Sequence, residues 1–462
     1  MSVQDALLSV RGRLQSLGSL GFVRSVGILA GGTALAQGIS VLTLPFVTRL
    51  YTPDDFSVLA VFVSFLSILS ISACLRLDVA IPLPKRDVDA ANLLALSLCG
   101  CTVVSAVIAI AIWCVPLRII SSAGLSAQHQ YLWLLPIGVW LTSTYSALQF
   151  WFTRTKKFDL IAKTRVTQAI SGIGVQVGMG WFGIGPLGLL LGQVVSSGTG
   201  ISSLLLKAIR DDDVFFRKIT FKKMRHVLKR YSRFPKYATF EALANIAGIQ
   251  LPIILIAALA GGPEPGYLML ATRAMTIPMG LIGGAIAQVY LSRAPEEFRT
   301  GSLEKFSEKV LAGLFKAGVG PLVAIGILAP AAFSIIFGKE WARSGELIAW
   351  MVPWFIFQFL SSPISMVMHV TNKQKEMLVV TLFGLIIRVG TVAAAAHWLD
   401  AYISEAYAIS GGIFYLGCYF IFSRAAGVSV MASKGIVKVN LFPLIAWVAG
   451  AVICRIIFQI IG

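Results

Sequence analysis

Thirteen times over, the chain runs through an apolar stretch of about twenty residues or more and then breaks into a short polar one. Hydrocarbon about 30 Å thick is crossed by about 20 helical residues rising 1.5 Å each, so every stretch has the length of a membrane span. The stretches lie at 22–48, 56–83, 91–114, 132–152, 159–181, 185–206, 237–260, 267–290, 311–337, 347–370, 377–399, 405–423 and 440–462. Of 462 residues, 57% are hydrophobic and only 13% charged, about half the charge of an ordinary soluble domain. That balance excludes a disordered chain, a collagen-like fibre and a water-soluble enzyme. The expected fold is an all-α polytopic membrane protein.

A net charge of +18 would suit a nucleic-acid surface if the basic residues were gathered on one face. They alternate instead. With a cytoplasmic N-terminus, the inner-side stretches hold 31 of the 39 Lys and Arg, and the outer side holds only Arg49, Arg118, Lys339 and Arg343. Arg76, Arg273, Arg388 and Arg455 fall inside apolar segments. This asymmetry is the positive-inside signature, so the basic excess reports topology and no nucleic-acid partner is expected. Residues 1–21, with Leu7, Leu8, Val10, Leu14 and Leu17 beside Arg11 and Arg13, read as an amphipathic segment at the inner surface. The apolar segment that follows is longer than a secretory h-region, so no cleavable signal peptide is expected. Cys74, Cys99, Cys101, Cys114, Cys418 and Cys454 all sit in or at the edge of apolar segments, where packing rather than disulfide or metal chemistry is expected.

The longest basic stretch, Lys207 to Tyr237, divides the chain. The expected organisation is an amphipathic segment at 1–21, a six-helix bundle at 22–209, a basic cytoplasmic linker at 210–236, a second six-helix bundle at 237–424, and a loop with an extra hydrophobic segment at 425–462. Six spans per half start both halves on the same side, which relates them by a pseudo-two-fold axis along the membrane normal. Ala34-Leu35-Ala36-Gln37 in the first segment is echoed by Ala242-Leu243-Ala244-Asn245 in the seventh, and Pro45 and Pro252 follow within each.

Signatures of catalysis and of cofactor binding are missing. Four scattered histidines have no partner carboxylate, and Asp211-Asp212-Asp213 reads as a solvated run beside a basic helix rather than a nucleotide-sugar metal site. The informative residues are ionisable groups inside apolar segments, each costing about 2.5–3.5 kcal/mol at a helix centre on insertion scales. Arg388 lies eleven residues from either end of its segment, about 16 Å from both surfaces and too deep to snorkel. Arg273 and Arg76 lie about 10 Å in, and Arg24 and Glu241 within two turns of the inner face. Guanidinium binds phosphate oxygens bidentately and stays charged, so Arg388, Arg273, Arg76 and Arg24 are candidate ligands for an anionic substrate in a cavity between the halves. A buried helix-to-helix pair or a carbonyl-bound guanidinium is the other reading of Arg388. Asp78 and Glu241, one in each half, are candidate ion-coupling acids, and a basic partner at the interface would explain them as well. Arg76 and Asp78, two apart, do not pair while that segment is regular helix.

Two stretches carry a resemblance. Gly31 to Pro84 reads GGTALAQGISVLTLPFVTRLYTPDDFSVLAVFVSFLSILSISACLRLDVAIPLP, and Ala329 to Arg388 contains APAAFSIIFGKEWARSGELIAWMVPWFIFQFLSSPISMVMHV and LFGLIIR. Thr43-Leu44-Pro45 to Asp55-Phe56 and Phe337-Gly338 to Trp341 are the most specific parts. The chain resembles, up to about Arg424, the bacterial oligosaccharide (O-antigen type) flippases of the polysaccharide transporter family, in the multidrug/oligosaccharidyl-lipid/polysaccharide exporter superfamily. The resemblance implies two six-helix bundles around a V-shaped central cavity. It also implies a non-enzymatic, ion-coupled flippase in a bacterial inner membrane. The implied substrate is undecaprenyl-diphosphate-linked oligosaccharide, moved from the cytoplasmic to the periplasmic leaflet for surface polysaccharide or lipopolysaccharide synthesis. Membrane lipid and a polysaccharide polymerase or export complex are the implied partners, and the implied cavity is basic. The thirteenth segment departs from the usual twelve. Rival readings are a multidrug or cation antiporter of the same superfamily, which would want acidic deep residues, a membrane polysaccharide polymerase, which would want large outer loops, and a lipid-scrambling or purely structural partner in an export complex.

Overall fold

The computed structural model describes residues 27–114 and 129–461; the amphipathic segment at 1–21, Arg24 and most of the 115–131 loop lie outside the described residues. Among the described residues all regular structure is helical. Thirteen helices coincide with the thirteen apolar stretches: α1 (Gly27–Leu50), α2 (Pro53–Ala73), α3 (Asp87–Cys114), α4 (Leu134–Arg154), α5 (Phe158–Trp181), α6 (Pro186–Phe216), α7 (Phe234–Leu259), α8 (Glu264–Arg299), α9 (Leu303–Ile336), α10 (Ala342–Ser361), α11 (Gln374–Trp398), α12 (Ile403–Ala425) and α13 (Leu441–Ile461). The first twelve form two six-helix bundles with pseudo-two-fold symmetry around a central cavity, and α13 packs on α9.

Local chemistry sets the helix ends. α2 begins with a capping box: the Thr52 amide donates to Asp55 Oδ2 at 2.9 Å, the Asp55 amide donates to Thr52 Oγ1 at 3.2 Å, and Pro53 opens the first turn. Its other end is shorter than the apolar stretch at 56–83 implies. The helix stops at Ala73, Leu75 (φ 50°) and Arg76 (φ 54°) turn left-handed, and a short helix Leu77–Ala80 follows. Two non-glycine residues in that region cost about 1–2 kcal/mol each, which the surrounding packing must offset. α10 likewise ends at Ser361, and α6 runs on to Phe216 after a break at Gly200 (φ 89°). An amphipathic basic helix, Phe221–Arg230, lies within the linker and docks Val227 near α3. The sulphurs of Cys74 and Cys101 meet at 2.7 Å in the buried contact between the end of α2 and α3.

The halves join through α2, which packs on α7 and α8, with Ser64 Oγ donating to Gln250 Oε1 at 2.9 Å. The join is tightest at the end where α1 finishes. There Trp341 is buried edge-on against Phe56, with centroids 4.8 Å apart, and its Nε1 donates to the Thr48 carbonyl at 3.1 Å. Arg49 Nη2 donates to the Ile335 carbonyl at 3.1 Å. Gly266 comes so close to α2 that its amide donates to Ser57 Oγ at 3.0 Å. A Cβ at Gly266 would lie 2.1 Å from the Pro53 carbonyl oxygen.

Gly266→Ala is therefore expected to cost about 1–3 kcal/mol of overpacking, seen as a midpoint several degrees lower in thermal unfolding of the purified protein. A midpoint within one degree of the parent would show that the halves are not held together there.

Candidate functional site

Helix α5 carries Arg165, Gln168, Gly172 and Gln176 at i, i+3, i+7 and i+11, a polar stripe along one helical face. α1 presents Thr33, Gln37 and Ser40, and α6 presents Gln193 and Ser196. These residues enclose a hollow of about 450 Å³, which α8, from the other half, completes with Arg273 and Thr276. The hollow thus bridges the two bundles. Leu44 and Val47 also line it, and Thr48, the next residue, belongs to the contact with Trp341, so the tight join closes that end. Arg165 Nη1 donates to Thr33 Oγ1, which ties α5 to α1 and fixes the guanidinium at the wall. Among the described lining residues there are two cations, four glutamine side chains and no acid.

Arg388 stands elsewhere. It is only 3% exposed and lines a smaller hollow, of about 170 Å³, whose walls all come from the C-terminal half: α7, α11, α12 and the turn after α10. Its guanidinium carbon lies 4.4 Å from the centroid of Phe414, 5.2 Å from Tyr415 and 5.5 Å from Trp354. Phe414 is seated there because Gly384, one turn before Arg388, leaves room: a Cβ at 384 would lie 2.4 Å from the ring. Arg388 Nη1 donates to the Gly248 carbonyl at 3.2 Å, and no ion pair to Arg388 exists among the described residues.

Arg76 and Glu241 come together at the junction of the halves, lining a third hollow of about 290 Å³ with Ile71, Ala238 and Asn245. Arg76 Nε is buried without a hydrogen-bond partner. Asp78 is buried, its Oδ2 accepts from Ser146 Oγ at 2.9 Å, and its Oδ1 has no partner. Arg24 lies outside the described residues. Among the described residues no three His, Cys, Asp or Glu side chains gather as a metal site.

The sequence-predicted arginines are thus distributed over three hollows, with Arg273 alone in the cavity between the bundles. Arg165 was hidden from sequence reasoning because hydropathy assigned it to the edge of an inner-side stretch. The periodic stripe it shares with Gln168 and Gln176 is the signal that would have found it.

The family described as polysaccharide biosynthesis protein matches residues 46–346. No curated sequence matches the chain. Among solved structures, a lipid II flippase MurJ in an inward closed conformation superposes with a TM-score of 0.68 at 14% identity, covering 95% of this chain and 98% of that one. An inward-facing multidrug resistance MATE family transporter of the MOP superfamily gives 0.58 at 16% identity, covering 89% and 99%. A MOP superfamily transporter from Pyrococcus furiosus, described as having a binding pocket of reverse polarity, gives 0.51 at 14%, covering 87% and 95%. At these identities the likeness is one of fold, while the family match spans more than half of the sequence. The chain belongs to the polysaccharide biosynthesis protein family and has the fold of the MOP superfamily flippases.

Proposed function

We propose that the protein flips a lipid-linked oligosaccharide, joined through diphosphate to a polyprenyl chain such as undecaprenol, from the cytoplasmic to the periplasmic leaflet of a bacterial inner membrane, with its N-terminus cytoplasmic. The observation that carries this reading is the lining of the interbundle hollow: Arg165 from one half, Arg273 from the other, and no carboxylate among the described residues. A cation-exporting cavity would want the opposite sign. Two guanidinium groups match the charge of a diphosphate. Gln37 and Gln193 offer amide donors and an acceptor, the pairing that sugar hydroxyls need, while the Gln168 and Gln176 amides donate to the Thr199 and Leu189 carbonyls. Family membership and the likeness to a lipid II flippase point the same way. The join around Trp341 lies at the end that the charge asymmetry makes periplasmic, so this arrangement is one that loads from the cytoplasmic side. Rocking of the bundles about α2 would then break that join and close the other end. The prenyl tail stays in lipid while the head crosses in the hollow.

Asp78 and Glu241 remain the proposed ion-coupling acids. Asp78 is buried with one carboxylate oxygen unpartnered, and Glu241 shares its hollow with Arg76.

Each charge-assisted hydrogen bond to the diphosphate contributes about 1.5–3 kcal/mol, so Arg165→Ala and Arg273→Ala are each expected to weaken binding of a prenyl-diphosphate oligosaccharide by roughly ten- to a hundredfold. In cells the same variants should lose surface polysaccharide and accumulate the inner-leaflet intermediate. Full export by both, at normal protein levels, would overturn the reading.

Asp78→Asn retains an acceptor for Ser146 but holds no exchangeable charge. It is expected to leave substrate binding unchanged and to abolish the response of transport in proteoliposomes to an imposed proton gradient. Gradient-driven transport equal to that of the parent would remove Asp78 from the coupling role.

A further inference from the structure

The hollow around Arg388 is separate from the lipid-carrying cavity, and its chemistry is unfinished. Phe414, Tyr415 and Trp354 surround the guanidinium at cation–π distance. The ring faces do not satisfy donors lying in the guanidinium plane, although the Tyr415 hydroxyl lies near enough to the guanidinium to interact with it. One such donor, Nη1, reaches the Gly248 carbonyl. The other two, Nε and Nη2, are buried and have no hydrogen-bond partner. These two form a single edge of the guanidinium, with parallel N–H groups, the fork that grips one carboxylate bidentately or one halide between two hydrogens.

A buried cation with neither counter-charge nor hydrogen bonds on one whole edge is a costly arrangement, and an anion held there would offset it. The hollow beside it measures about 170 Å³, against about 450 Å³ for the interbundle cavity, and so has room for an ion and a few waters but not for a diphospho-sugar. Its other walls include Asn245, Ser362, Ser365 and Thr381. Ser365 and Thr381 spend their hydroxyl hydrogens on the carbonyls of Ser362 and Met377, while the Asn245 amide and the Ser362 hydroxyl are offered to the hollow.

The hollow at the junction of the halves shares a wall residue with this one, and the proposed route runs past it. Asn245 lines both this hollow and the one holding Arg76 and Glu241, and Glu241, Asn245 and Gly248 follow one another at i, i+4 and i+7 along a face of α7. An ion arriving at the junction of the halves meets the unpartnered Arg76 Nε, passes Asn245 and reaches the fork of Arg388.

We propose that the C-terminal bundle contains a binding site for a small monovalent anion, a halide or a short carboxylate, held on the Nε/Nη2 edge of Arg388 and reached from the junction of the halves past Asn245. The site goes beyond the flippase reading and does not depend on it. Because its passage opens where the halves meet, the rate at which the ion exchanges responds to how they are seated.

The test uses the full-length protein in nanodiscs of neutral lipid, with no lipid diphosphate present. At constant ionic strength, replacing sodium gluconate by sodium bromide or sodium formate is expected to raise the thermal unfolding midpoint by about 2 °C, the scale expected for an ion several-fold above its dissociation constant. A rise with bromide alone, or with formate alone, identifies which anion class the fork takes. Arg388→Gln should remove the rise. Should that variant not fold, Asn245→Leu, which blocks the passage and leaves Arg388 and its rings intact, should remove it instead. Arg165→Ala and Arg273→Ala should keep it. Anomalous scattering from bromide-soaked crystals should show a peak against Arg388. A midpoint equal in gluconate, bromide and formate, or a rise that both Arg388→Gln and Asn245→Leu retain, would overturn the proposal.

Discussion

A charge in hydrocarbon must find water or a partner, and the placement of this protein's hollows follows from that requirement. Each half builds one between its first, fifth and sixth helices, and in each half the fifth helix supplies an arginine: Arg165 from α5 and Arg388 from α11. The repeated tetrapeptides mark the same positions, because Gln37 lines the first hollow and Asn245 the second. The halves have diverged in what closes the space. In the N-terminal half the hollow stays open to α8 and gains Arg273; in the C-terminal half aromatic rings and the turn after α10 fill it down to a small pocket. One arrangement of helices thus yields a broad cationic cavity and a narrow one.

The proposed alternating access would need a hinge, and α2, which joins the halves, stands where one would lie. It contacts α7 and α8 along its length, is capped firmly at Thr52–Asp55, and ends abruptly in the left-handed pair Leu75 and Arg76. The strain of that pair has a structural return. The reversal carries the Arg76 side chain to the junction of the halves and places Asp78 on a separate short helix against Ser146. Had α2 continued as a regular helix, Arg76 would have followed the helical face instead. The backbone turn therefore decides which charges the junction contains.

The number and placement of the long helices were legible in the sequence, because hydropathy acts on whole segments and averages over local detail. What lay beyond reach was anything set by a single turn. Leu75, Leu77 and Val79 keep the hydropathy high past Ala73, so the end of α2 left no compositional trace, and the polar extension of α6 to Phe216 looked like linker. Arg165 was lost to the same averaging, since α5 begins at Phe158 and carries it about 10 Å inward. Which arginines share a hollow is a property of helix packing, and no span-by-span reading reveals it.

The separation of Arg388 from Arg165 and Arg273 changes what a deep arginine means in this fold. Depth alone suggests a substrate ligand, yet the deepest guanidinium is the one enclosed by a single half, where moving one bundle against the other does not expose it. The two arginines on opposite walls of the interbundle hollow come from different bundles, so on the proposed reading theirs is the spacing that a motion of one bundle against the other would change. A group that keeps the same neighbours in both states has equal affinity in both and cannot drive the transition. The Arg388 hollow meets the junction of the halves at Asn245, which lines the spaces on both sides. On the proposed reading, recognition of the lipid head falls to the arginines of the interbundle hollow, while the enclosed arginine keeps its neighbours within its own half.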